Sequence, residues 1–200
     1  EIMAALVDQQ ECSRVGFRRG ITVAPGAKAA QAEFPGDVII VDGEWKKGLT
    51  ILDVADDLQA GDVVLKGANA FDAYGQGAVQ IGHPQGGTIM AVLPAVIGRR
   101  VQLMVPVGLE KRMFDDVNAL AARVNAPDGE GPRLLPLPGD VFTEIDAIEL
   151  LTGAHAFLLS AGGVYGAEGG VWLGIDGSED EIEAASALIA LVKGEPPCRV

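Results

Sequence analysis

Short, unbroken apolar runs alternate along this chain with stretches in which apolar residues recur every three or four positions. ITVAPG (21–26) and DVIIVDG (37–43) are apolar runs closed by glycine, as strands are. Between 49 and 62, Leu49, Leu52, Val54, Ala55 and Leu58 share roughly one helical face, with Thr50 and Asp53 at its start and Gly61 past its end. VVLKGA (63–68) then places Val63, Val64 and Leu65 in succession, which predicts a strand buried on both faces of a parallel sheet. GGTIMAVLPAVIGRR (86–100) reads as a nearly all-apolar helix of about three turns. Pro94 must kink or shorten it, because proline lacks an N–H and crowds the preceding turn. VQLMVPVG (101–108) is the next buried strand, so the segment has the order of a βαβ unit.

APDGEGPRLLPLPGD (126–140) carries four prolines and three glycines with no amphipathic period, and predicts an extended linker. Beyond it come a helix capped by Thr143, strands in AHAFLLSAGG and GGVWLGIDG, and a helix from 178 onward. Ser178 with Glu181 three residues later makes a capping box, and the acidic first turn suits the positive helix N-terminus. If RLLPLPG supplies a preceding strand, the last part has the order βαββα. The expected division is an α/β domain over 1–125, a linker over 126–140 and a small α+β subdomain over 141–200. The fold class is α/β, a mostly parallel open sheet with helices on both faces.

Composition narrows the function more than the fold. A formal charge of −13 over 200 residues repels phosphate backbones across most of the surface, which argues against nucleic acid as a partner. The pairs Arg18-Arg19 and Arg99-Arg100 read as solvated surface. No apolar run is long enough to suggest a membrane span. Cys12 and Cys198 are far apart and form no paired motif, so a reducing cytoplasm is the expected location. The chain opens with Glu1 rather than Met, which leaves open that native N-terminal sequence precedes it.

Candidate chemistry gathers between 66 and 111. Lys66 interrupts an apolar strand and must reach solvent, a carboxylate or an anionic ligand. Asn69, at the strand's end, can meet a ligand oxygen or satisfy loop backbone; open parallel sheets bind ligands at such ends. Asp72 is either a turn-forming carboxylate or the local base. GHPQGGT (82–88) offers an anion turn: Gly86 and Gly87 permit close backbone approach, Thr88 can cap the helix, and His83 and Gln85 stand beside them. An ordinary strand-to-helix turn has the same letters. Glu110 and Lys111 follow the next strand, as an acid/base pair or as a surface ion pair. SAGGVYGAEGG reads as a hairpin turn or a loop over a ligand, with Tyr165 and Glu168 as contacts. His155 reads as structural. With two histidines in all, neither a metal nor a cofactor is expected.

On the run DVVLKGANAFDAYGQGAVQIGHPQGGTIMAVLPAVIGRRVQLMVPVGLEK, about fifty of the 200 residues, the chain resembles the central βαβ of the ribose-5-phosphate isomerase, glucosamine-6-phosphate deaminase and CoA-transferase superfamily. The likeness is nearest to ribose-5-phosphate and methylthioribose-phosphate isomerases and to sugar-responsive DeoR-type regulators. The C-terminal part resembles ferredoxin-like βαββα modules of small ligand-binding and shell-forming domains. The resemblance implies a phosphorylated or carboxylated metabolite, a sugar phosphate or acyl-CoA-like compound, bound at the sheet's C-terminal edge. It implies aldose–ketose isomerisation or a related proton transfer, with Asp72 or Glu110 as base and Lys66 neutralising charge. Asn69 departs from the pattern, standing where those isomerases carry an acid, and an amide cannot take up a proton near neutral pH. The alternative is a non-catalytic sensor or self-assembling module whose C-terminal part joins copies into a homodimer or larger oligomer.

Overall fold

The structure, a computed structural model, describes residues 36–193. The strand expected at 21–26, Arg18, Arg19 and both cysteines lie outside them. The described residues divide into two compact units, 36–58 and 59–193.

In the first unit, β1 (Ile40–Val41) and β2 (Glu44–Trp45) form an antiparallel ribbon. Its turn is Asp42-Gly43, both at positive φ (51° and 78°), the conformation that lets a two-residue hairpin follow the strand twist. The helix expected over 49–62 is a single turn, α1 (Ile51–Val54). Thr50 starts it, with its N–H and hydroxyl both 2.7 Å from Asp53 Oδ2. Two features stop it early. Asp56 and Asp57 fall at its negative C-terminal end, and the Gln59 N–H is taken by the Asp62 carboxylate at 2.9 Å, a local turn competing with the helix.

The second unit is mixed α/β. β3 (Val63–Leu65), β6 (Gln102–Pro106) and β8 (Asp140–Phe142) make a parallel sheet in the order β3-β6-β8. The register sets Val64 opposite Leu103 and Met104 opposite Asp140. The two apolar strands of the expected βαβ unit therefore do run side by side in the same direction. The sheet is not mostly parallel, however: β4 (Ala70–Phe71), β5 (Gly77–Ile81) and β7 (Arg133–Pro136) form a separate antiparallel one. β3 is not buried on both faces either. It is an edge strand, and Val63 and Leu65 are 52% and 42% exposed. β6, between two partners, carries the core instead, with Leu103 and Val105 buried.

The apolar helix forms as α2 (Gly87–Leu93) and continues into a π-helical turn at Pro94–Gly98. Pro94 cannot donate the hydrogen bond that an α-helix needs at its position, and the wider turn is the result. Ile89 and Val92 plant α2 in the core.

The passage 126–140 is not a linker. Arg133–Pro136 is β7, paired with β5, and Asp140 opens β8, paired with β6. Pro136 is tolerated because β7 is an edge strand, where a missing donor costs nothing on the open side. These pairings also remove RLLPLPG from the C-terminal part. There, α4 (Glu144–Thr152) and α5 (Glu179–Lys193) pack on a sheet of two strands, β9 (His155–Ala161) and β10 (Val171–Asp176), so the expected βαββα lacks its first strand. Ile148, Ala154, Ala156 and Ala185 form the core of this part. The element between β6 and β7 is α3 (Val117–Val124).

Candidate functional site

Asn69 lies between β3 and β4 and is bound to β5 at two points. Its backbone N–H donates to the Ala78 carbonyl (2.8 Å), and its Oδ1 accepts the Gln80 N–H (2.9 Å). The side chain thus adds a rung to the β4–β5 ladder. Its acceptor end is committed, which leaves the Nδ2 hydrogens for another group.

After β5 the chain turns through residues 82–86 into α2. Gly86 donates its N–H to the His83 carbonyl (3.0 Å), and Gly86 and Gly87 sit at φ 79° and 68°. A side chain rarely adopts that left-handed conformation, so the glycine pair is required by the backbone path. His83 Nδ1 accepts the Gln85 N–H at 3.2 Å. The neutral ring therefore carries its proton on Nε2 and presents a donor. Lys66 is anchored by its backbone N–H to the Met104 carbonyl (3.0 Å), and its Nζ is 3.4 Å from the Gly67 carbonyl.

These groups share one hollow of about 160 Å³. Lys66, Asn69, Gln80, Gly82, His83, Gly86, Gly87 and Thr88 line it, with Val79, Ile81 and Ile89 as its apolar wall. Six expected site residues are thereby brought together: Lys66, Asn69, His83, Gly86, Gly87 and Thr88. Gln85 stands beside them and orients His83.

Three expected residues are placed elsewhere. Asp72 lines a second hollow, of about 380 Å³, with Tyr74, Gln76, Asp116, Asn118 and Asp140 among its neighbours. It is 2% exposed, and its oxygens accept from the backbone N–H groups of Tyr74 (2.9 Å), Gln76 (3.0 Å) and Val117 (3.0 Å). Burial pushes its carboxyl up, but the donors of Val117, Gln76 and Tyr74 outweigh that and hold it below the ordinary carboxylate range. A carboxylate so held pins the β4–β5 turn to the start of α3. Glu110 and Lys111 form an ion pair at 3.8 Å in the 3-10 turn after β6 and line neither hollow.

The second hollow is the larger, but its carboxylates Asp72, Asp116 and Asp140 oppose an anion, whereas the smaller one is lined by donors. The glycine-rich loop between β9 and β10 closes as a hairpin, with Gly162 N–H to Gly170 carbonyl at 2.8 Å and Tyr165 wholly exposed. Its own N–H and that of Gly166 hold the Glu168 carboxyl below its ordinary value. His155 lies on the surface, its Nδ1 3.3 Å from Asp176. Among the described residues, no group of three or more His, Cys, Asp or Glu is placed to hold a metal, and no helix is long and apolar enough to cross a membrane. No protein-family model, curated protein or solved structure matches this chain.

Sequence reasoning missed β5, which supplies Val79, Gln80 and Ile81 to the hollow. The signal was present: AVQI after Gly75 and Gly77 is a strand bounded by a turn.

Proposed function

We propose that this chain binds a small anionic metabolite, phosphorylated or carboxylated, in the hollow between β3, β5 and α2, and holds it without converting it. The observation that carries this reading is the commitment of acceptors. Asn69 Oδ1 and His83 Nδ1 are both occupied by backbone N–H groups, so these side chains offer the hollow donors, and Lys66 adds positive charge. A volume of about 160 Å³ is small beside the ~300–1,000 Å³ clefts of drug-sized ligands. It suits a phosphoryl or carboxyl head with a few attached atoms, the rest of a sugar phosphate or acyl-CoA-like compound lying outside.

The isomerase-type reading is weaker. It requires a base near the bound head, and Asp72 and Glu110 are both placed elsewhere. The likeness to the ribose-5-phosphate isomerase-like proteins rests on the sequence run from Asp62 to Lys111, and a cytoplasmic sensor of phosphorylated metabolites is the role proposed from it.

Asn69→Asp tests the reading. It keeps the acceptor that Gln80 needs and replaces the donor with negative charge. At ten times its Kd, ribose 5-phosphate is expected to stabilise the wild type by about 1.4 kcal/mol, or roughly 3–6 °C in Tm, and the variant not at all. No shift of the wild type with any phosphate or carboxylate would sink the reading. Conversion of the sugar phosphate to its ketose would restore the enzyme.

A second reading, self-association through the C-terminal hairpin in a homodimer or larger oligomer, is favoured by one observation. The outer face of β9 and β10 exposes Phe157, Leu159 and Trp172.

A further inference from the structure

Arg133 is the first residue of β7, opposite Ile81 of β5. Ile81 lines the donor hollow, and so does His83, two residues on. The Arg133 guanidinium reaches across to this wall and donates from Nη2 to the His83 carbonyl at 3.4 Å. Among the described residues that is its one side-chain hydrogen bond, so one of its five N–H groups is engaged. Arg133 does not itself line the hollow, but an exposed arginine held against one of its wall residues is suited to a planar, two-point contact with an oxyanion bound there.

We infer that Arg133 is the specificity-determining second cation of this hollow, making it selective for a phosphate monoester dianion over a monocarboxylate; the inference rests on the anion-binding reading above. The chemistry is one of matching charge. A carboxylate head carries a single negative charge and two oxygens, which Lys66, Asn69 and His83 can meet. A phosphate monoester carries close to two charges and three free oxygens at neutral pH. Its extra oxygen and extra charge call for a further donor that stays ionised, and a guanidinium does so at every pH of interest. Neither the apolar run of β5 nor the glycine turn announces this residue. Fifty positions separate Arg133 from His83, and only the β5–β7 pairing brings them together.

The test uses the whole chain, with methyl phosphate and acetate as probes, titrated by calorimetry into the wild type, Arg133→Gln and Arg133→Lys. Wild-type protein is expected to bind methyl phosphate more tightly than acetate. Arg133→Gln should weaken methyl phosphate by about tenfold or more, the scale of a charged hydrogen bond, and acetate by less than about twofold. Arg133→Lys, which keeps the charge and loses the fork, should fall between. Unliganded melting of both variants within about 1 °C of wild type, as expected for an exposed side chain, establishes that binding alone has changed. If wild-type protein binds methyl phosphate but Arg133→Gln weakens both probes alike, or neither, the selectivity role of Arg133 is overturned and the anion site stands. If wild-type protein binds neither probe, the anion site itself falls, and this role with it.

Discussion

Asp72 shows how a side chain that can be read as a base in the sequence also ties distant parts of the fold together. Its carboxylate takes three backbone donors, one of them from Val117, 45 residues away. Removing it in Asp72→Ala leaves those N–H groups without their acceptor and should cost about 1–3 kcal/mol at pH 7. The sign of the pH effect follows from the direction of the shift. Because the folded carboxyl titrates below its ordinary 3.8, its stabilisation is complete above the unfolded value and is lost as pH falls through the folded one. Urea unfolding of wild type and Asp72→Ala should therefore differ most above about pH 5 and converge as the pH drops below 3.8. A gap that stays constant into strong acid would show that the charge of Asp72 plays no part.

At the scale of elements, the turn into α2 is where backbone geometry and the candidate site coincide. Gly86 is left-handed, and a Cβ there would run into the Met90 side chain. Met90 is flexible and can move, so the backbone term dominates, and Gly86→Ala should destabilise by about 1–2 kcal/mol. Gly86→Asn should recover part of this, since asparagine tolerates the conformation better; chemical denaturation distinguishes the two. Equal stability of Gly86→Ala and wild type would mean that the turn is not held left-handed. Capping shows the opposite behaviour, local and readable. Asp146 Oδ2 accepts from the N–H and hydroxyl of Thr143, both at 2.7 Å, and Glu181 does the same for Ser178. Each is an N-cap with an acid three residues on, visible in the letters alone.

For the molecule as a whole, the exposed apolar face of β9 and β10 and the charge of −13 act against each other in association. Two strands are few for a stable sheet, and only one face of this pair is packed by α4 and α5. A second copy seated on Phe157, Leu159 and Trp172 would cover the other. Trp172, 66% exposed, is the expected anchor. Trp172→Ser should weaken a dimer by about 2 kcal/mol or more, roughly thirtyfold or more in its dissociation constant, measured by sedimentation. Like-charged copies repel, so wild-type association should strengthen as salt rises. A wild type that sediments as a monomer at every concentration and salt would end the self-association reading.

The letters of this chain determined whatever depends on neighbours in sequence. Val63–Leu65 and Gln102–Pro106 read as two apolar strands with an apolar helix between them, and they do pair in parallel, although β4 and β5 also lie in the connection. The glycine pair and the two capping boxes were equally legible, since their geometry is set within a few residues. Tertiary structure alone decided the rest. Arg133–Pro136 looks like a linker until β5 supplies its hydrogen bonds, and Asp140–Phe142 until β6 does. Asp72 meets the Val117 N–H of α3, and the Asn69 oxygen meets the Gln80 N–H, only in the fold. Each of these outcomes turns on a polar group, buried like Asp72 or exposed like Asn69, finding a partner beyond its own turn of chain. Such partnerships satisfy hydrogen bonds that no local period records.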